Sequence, residues 1–384
     1  MNELTLSLLA IGLGLIFLLV AFNWWQERKI RKAAEKAMNF TEDAATLEEL
    51  WRFETGSPIY SSPAVVDNLL YVGTYGNEIL AIDWQNSRQV WAYDGGKARY
   101  DSSAAVTDRF VIAGSQDRKL HCIDRQTGKQ VWQREVHRGG FMKIHPKNTH
   151  ASVTPACDGQ RVFVAFMVQE GIWATALDLD GKQVWQKEVG SFAAKFGYSA
   201  SPVLYKSLVL LAADHQQGGF IAALNRADGA IVWRKARPEK SSYATPRVVT
   251  LDGKDQLVIC GCRQVSSYDP LTGNHLWSTE GTADSGVGSP VVAGNLVIAS
   301  AGWPERETMA LKPDGSVAWR IKSHSYVPSL IAIDDHIYLV NEGIARCIHA
   351  TTGKEAWQKR LGGGEFRSSR SEEHTSELQS HSFI

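Results

Sequence analysis

DRQTGKQVW, residues Asp124 to Trp132, decides how this chain is read. A polar or acidic residue opens the phrase, a turn ending in Gly follows, and a Trp stands four residues beyond the Gly. The phrase recurs as DWQNSRQVW (Asp83 to Trp91), DLDGKQVW (Asp178 to Trp185), NRADGAIVW (Asn225 to Trp233), DPLTGNHLW (Asp269 to Trp277), KPDGSVAW (Lys312 to Trp319) and HATTGKEAW (His349 to Trp357). Successive Trp residues are 38 to 53 positions apart. A period in this range marks repeated supersecondary units.

The first unit shows what each repeat builds. Apolar runs at Pro63 to Val66, Leu69 to Val72, Ile79 to Asp83 and Val90 to Tyr93 are separated by Asp67–Asn68, by Gly73 to Gly76 and by the turn. Short β-branched and aromatic runs punctuated in this way predict four antiparallel strands. Gly in the turn accepts the positive φ of a tight hairpin, and Ser87 takes its place in the first unit. No 3.6-residue periodicity supports a helical repeat. Four strands in about 44 residues cannot bury both faces of their own sheet, and radial stacking of sheets solves this. The repeated Trp is suited to fill the space between neighbours. The expected fold is all-β, a β-propeller of four-stranded blades.

The phrase resembles the pyrroloquinoline-quinone-like repeat of quinoprotein-type propellers, over residues 51 to about 366. NTHASVTPACDGQRVFVAF (Asn148 to Phe166), ALDLDGKQVWQKEVG and YSASPVLY are similar to the group of bacterial propellers around outer-membrane assembly factor B. WD-type repeats fit poorly because no Trp-Asp follows the turns, and kelch repeats because paired glycines are missing.

Trp51 lies forty residues before Trp91, in WRFETGSPIYSSP, without three strands of its own. In the resembled propellers the N-terminal strand completes the last blade. Seven complete blades plus this orphan strand imply a truncated eight-blade ring. The tail RSEEHTSELQSHSFI reads as disordered and polar, and RSEEHTSELQS resembles a translated sequencing-library adapter, so 367–384 is expected to be non-native.

Residues 4–26, LTLSLLAIGLGLIFLLVAFNWWQ, carry one uninterrupted apolar stretch without charge. Its length suits a transmembrane helix, with Trp24 and Trp25 at the interface. The anchor is therefore placed at 1–26 and a basic, then Ala/Glu-rich linker at 27–50. Arg28, Lys29, Arg31, Lys32 and Lys36 follow the helix, and this places the propeller in the cytoplasm by the flanking-charge rule. The resemblance implies a periplasmic propeller instead.

Forty-one basic and 41 acidic residues balance, so no basic stripe suggests nucleic acid. Five Cys without framework spacing argue against a disulfide scaffold. Cys122 and Cys347 fall two residues before the turn, where other units have Ala or Ser, and read as small buried fillers. Cys260 and Cys262 flank Gly261 at a hairpin, and His137, His145 and His150 cluster in one long connection. Neither set completes a zinc site. Quinoprotein dehydrogenases need a clamped quinone, calcium, a catalytic carboxylate and a disulfide between adjacent Cys, and this chain has no Cys-Cys dipeptide. No catalytic residue, metal or cofactor is expected.

An aromatic or His often precedes the inner strand: Tyr60, Tyr100, His150, Tyr198, Tyr243 and Tyr326. These side chains are candidates to ring one mouth of the axial channel and bind a peptide or small ligand, with packing between blades as the plainer reading. Trp51, Trp91, Trp132, Trp185, Trp233, Trp277, Trp319 and Trp357 are expected to pack the blades. The expectation is a non-catalytic, membrane-anchored scaffold for protein partners, and the resemblance implies a role in envelope or outer-membrane protein assembly. A ligand-binding or quinone-dependent oxidoreductase is the alternative.

Overall fold

The computed structural model describes residues 50–140, 144–145, 148–302 and 305–361. Every regular element among them is a β-strand. The strands form seven four-stranded antiparallel sheets, each ordered as the chain runs. Blades 1 to 7 span residues 64–94, 105–135, 156–191, 203–236, 247–280, 291–321 and 331–360. Blade 1 consists of Ala64–Val66, Leu69–Gly73, Glu78–Asp83 and Arg88–Asp94, close to the four apolar runs of its sequence. The middle strands carry the core: Leu208–Ala213 of blade 4 is buried at every position. The fourth strands are exposed except where they meet a neighbour, as in Arg88–Asp94, where only Trp91 and Tyr93 are buried.

Six apolar clusters fill six seams. Tyr71, Trp91 and Val111 join blades 1 and 2, and Phe163, Trp185 and Leu211 join blades 3 and 4. The other four join blades 2 and 3, 4 and 5, 5 and 6, and 6 and 7.

The repeated phrase is the fastener of each seam. The Trp91 indole N–H donates to the Arg125 carbonyl in the next blade's turn at 3.0 Å. Trp132 reaches Leu179 at 2.7 Å, Trp185 reaches Arg226 at 3.0 Å, Trp233 reaches Pro270 at 3.2 Å and Trp319 reaches Ala350 at 2.8 Å. The turn glycine of the next blade lies flat on the ring. At Gly229 φ is +74°, and a Cβ there would come within 2.6 Å of Trp185. The opening Asp shapes the turn: the Asp269 carboxylate accepts the N–H groups of Leu271 and Thr272, both at 2.9 Å.

The small slot before each turn also has a cause. Ala81, Cys122, Ala176, Ala223, Ser267, Ala310 and Cys347 are the direct cross-strand partners of the seven Trp residues. A bulky residue would collide with the indole. Beside each pair the register slips, a bulge that turns the fourth strand.

Trp91, Trp132, Trp185 and Trp233 are buried, whereas Trp51, Trp277, Trp319 and Trp357 are partly exposed. Blade 5 departs from the rule. Trp277 donates to Gln256 Oε1 of its own blade at 2.9 Å, and Gln256 Nε2 passes the contact to the Pro313 carbonyl at 3.1 Å.

The expected orphan strand requires correction. Trp51 lies in no strand. A fourth strand needs a third to pair with, and none lies beside it among the described residues. Phe53 packs instead on Val72, Leu80 and Ile82, the side of blade 1 that faces away from blade 2. No apolar cluster among the described residues joins blade 7 to blade 1. The expected anchor, linker residues 27–49 and tail lie outside the described residues, and no helix among the described residues is long and apolar enough to cross a membrane.

Candidate binding face

In each blade the hairpin between strands two and three and the connection to the next blade lie on one face. Their backbones interlock there. Gln116 N–H donates to Arg99 O at 3.0 Å, Gln169 to Gly140 at 3.2 Å and Cys262 to Asp284 at 3.0 Å. Connections are where propellers vary without disturbing the blades, so this face is the candidate site.

Near the axis, Ser and Thr side chains tie neighbouring inner strands together. Thr154 N–H donates to Ser201 Oγ at 3.0 Å, Ser201 N–H to Thr245 Oγ1 at 2.9 Å, and Ser289 N–H to Ser329 Oγ at 3.0 Å. Pro155, Pro202 and Pro290 follow the donors, and the residue before a proline is held extended, which aims its N–H at the neighbour. Reading the tyrosines of YSASP and YATP overlooked this ladder. The recurring hydroxyl before Pro was the available signal.

The six candidate mouth residues divide. Tyr60 is 37% exposed and stacks on Tyr75 with ring centroids 4.3 Å apart. Tyr326 is 47% exposed beside Gly302, and His150 is exposed. Tyr243 is half-buried, edge-on to Phe196 at 5.7 Å. Tyr100 and Tyr198 are buried between blades, against His121 at 5.5 Å and Phe192 at 5.4 Å. The structure thus brings Tyr60, His150 and Tyr326 to the surface and sends Tyr100 and Tyr198 into seams.

Two polar networks hold the connections in place. Asp101 Oδ2 accepts Gln116 Nε2 and Thr149 Oγ1, each at 2.6 Å, linking the connections after blades 1 and 2. Arg237 grips Asp214 with two bonds of 2.9 Å and reaches Tyr268 Oη at 3.3 Å. Both side chains of that pair are buried. A third network lies deeper. His121, buried, contacts Asp117 Oδ2 at 3.0 Å and Tyr93 Oη at 3.0 Å. Burial raises the Asp117 pKa, but bonds from His121 and Ser115 overcome it and hold the carboxyl down to about 2.

All five Cys are free and buried. Burial pushes the Cys157 thiol up to about 11 and those of Cys122 and Cys260 up to about 12, so they stay protonated. His137 sits between Phe166 and Trp173 with Nδ1 2.9 Å from Gln186, while His145 stacks on Phe196. Among the described residues no three His, Cys, Asp or Glu side chains gather as a metal site.

A family model described as outer membrane protein assembly factor BamB matches residues 40–165 and 142–359. No curated protein matches the chain. Among solved structures, BamB from Moraxella catarrhalis is similar at a TM-score of 0.58 and 17% identity, over 79% of this chain and 86% of that one. A europium-containing methanol dehydrogenase reaches 0.69 at 13% identity, over 85% and 83%. The quinohemoprotein alcohol dehydrogenase from Comamonas testosteroni reaches 0.69 at 14% identity, over 86% and 71%. At these identities the structures share the fold alone. With fasteners, seams and family match agreeing, the chain belongs to the pyrroloquinoline-quinone-like-repeat β-propeller family of outer membrane protein assembly factor BamB.

Proposed function

We propose that this chain is a membrane-anchored, non-catalytic propeller that binds protein partners in the cell envelope and serves the assembly of outer-membrane proteins. The family match over residues 40–165 and 142–359 carries the reading. The interlocked connection face supports it, because a rigid body with variable loops is suited to holding partners. Tyr60, His150 and Tyr326 are its exposed contact candidates, with Tyr243 at their margin. The tether is residues 4–26. We place the propeller in the periplasm, since the family match spans the propeller itself whereas the flanking-charge argument rests on five linker residues. We also assign the ring an eight-blade design, with the eighth position between blades 7 and 1, where no apolar cluster forms among the described residues.

A photo-crosslinking residue at Tyr60 or Tyr326 tests the reading in cells. Crosslinks to components of outer-membrane protein assembly support it, and a chain that crosslinks to none of them while outer-membrane protein content is unchanged on gene deletion refutes it. A phosphatase active only after export, fused after Leu361, tests the side of the membrane. An inactive fusion would return the propeller to the cytoplasm.

A second reading, a quinone-dependent oxidoreductase, is favoured by the two dehydrogenases among the structural relatives. Calorimetry with pyrroloquinoline quinone and calcium separates the two. Saturable uptake would support the enzyme.

A further inference from the structure

We propose that the junction between blades 3 and 4 binds a small carboxylate ion, held by the Nε–H and Nη2–H of Arg226. The inference does not depend on the partner-binding reading above. It comes from comparing three arginines of this chain.

Arg125 and Arg226 occupy one position in the repeat. Each follows the residue that opens the turn, and its carbonyl accepts the indole N–H of the preceding blade, from Trp91 or Trp185, at 3.0 Å. The aromatic ring beside that Trp recurs too. Tyr71 and Phe163 both pair across strands with the small slot, Ala81 or Ala176. Their rings meet the Trp rings alike, with centroids 5.8 and 6.1 Å apart and planes at 44° and 45°. Asp67 and Asp158 stand in the corresponding turns between strands one and two.

The two junctions differ by one hydroxyl. In the first, Arg125 Nε donates to Tyr71 Oη at 3.0 Å and Nη2 pairs with Asp67 Oδ2. Phe163 has no hydroxyl to offer. Arg226 Nε and Nη2 are buried and have no acceptor among the described residues. Its contact with Asp158 runs through Nη1 and is long, at 3.5 Å. The Arg226 side chain is 12% exposed and that of Asp158 7%, so water does little to satisfy the remaining donors. Buried donors left in this way destabilise the fold until an acceptor reaches them.

The two free donors are the pair that matches a carboxylate. Nε–H and Nη2–H point the same way, spaced for two oxygens. Arg237 uses these same two atoms to hold Asp214, at 2.9 Å each. Local charge agrees. Arg161 donates through Nη1 to the carbonyls of Arg226 and Ala227, both at 3.0 Å, and forms no salt bridge among the described residues. Asp158 Oδ1 is engaged by the N–H groups of Gln160 and Arg161 at 2.9 and 2.7 Å. Asp228 is exposed, accepts the Ala230 N–H at 2.9 Å and does not pair with Arg226. Two guanidinium groups thus share one carboxylate, and a second carboxylate balances them. Because the donors are buried, the ligand is a small free ion rather than a side chain carried by a peptide.

The test is thermal unfolding of the full chain in detergent, with sodium formate exchanged for sodium chloride at constant ionic strength. Formate should raise the wild-type midpoint saturably, by about 2 °C. Phe163→Tyr puts a hydroxyl where Tyr71 has one. It should raise the midpoint by about 2 °C without formate and remove most of the formate response. Arg226→Lys keeps the backbone carbonyl that accepts Trp185 but loses the paired donors, so it should show no formate response whatever its midpoint. A wild-type midpoint that ignores formate overturns the proposal. So does a response shared equally by all three proteins, which would be a general salt effect. If Phe163→Tyr folds poorly, the Arg226 Nε–H resonance of the wild type decides: a saturable shift on formate titration supports the site, and an unmoved resonance overturns it.

Discussion

The seam between blades 4 and 5 and the outer side of blade 7 contain the same phrase with different surroundings. In the first, Trp233 is buried, donates to Pro270 in the following turn, and lies under Gly273. In the second, Trp357 is partly exposed and rests on Tyr338 of its own blade with centroids 6.2 Å apart. The difference teaches that the phrase encodes a junction rather than a blade. Each Trp is completed by the next turn, and each turn by the preceding Trp, so stability accumulates between neighbours as in other repeat arrays.

The largest expected effect tests this contrast. Trp233→Ala should cost about 3–5 kcal/mol in urea unfolding, through lost burial and the cavity left behind. Trp357→Ala should cost below about 1 kcal/mol, since its ring has less to lose. Similar losses would mean that blade 7 is sealed as tightly as blade 4. Gly229→Ala comes next. Its Cβ would press on Trp185 from a backbone at φ +74°, and the unfolding free energy should fall by about 1–3 kcal/mol. Gly294→Ala also sits at positive φ, but nothing lies within 4 Å of its Cβ, so it should lose less.

The fifth Trp sharpens the comparison. Gln256→Ala would leave Trp277 N–H and the Ser267 hydroxyl without their shared acceptor, at a cost of about 1–2 kcal/mol. A neutral variant would mean that Trp277 takes up the direct bond to Pro313. The smallest effect is set by pH. Asp117 titrates in the folded state at about 2, below its ordinary value near 4. Its contribution is therefore present above about pH 4 and lost as the pH falls toward 2. Asp117→Asn should flatten that acid limb of the stability curve and leave the neutral region lower.

The junctions were legible because both halves of each lie in one local phrase. Trp, turn Gly and small slot recur at fixed offsets, and pairing of Cys122 with Trp132 or Cys347 with Trp357 explains why Cys alternates with Ala there. The candidate face was legible only in part. Tyr100 and Tyr326 occupy similar sequence positions, yet one is buried and the other exposed. What separates them is the surroundings: Gly73 and Gly302 make room for both side chains, but Gly95 also leaves room for the tip of the Tyr100 ring, and no local pattern announces that. The Asp214–Arg237 pair joins residues 23 positions apart and was likewise silent in the sequence. Trp51 misled for a related reason: its position matched the repeat, but a strand exists only with a partner to bond.

Native-state hydrogen exchange across the seven blades tests the central claim most directly. If the phrase is a junction, amides of the middle strands in blades 3, 4 and 5, held from both sides, should exchange slowest. Those in blades 1 and 7, each with one completed junction among the described residues, should exchange fastest. Uniform protection around all seven blades would contradict the account, because it would show stability residing in each sheet rather than between them.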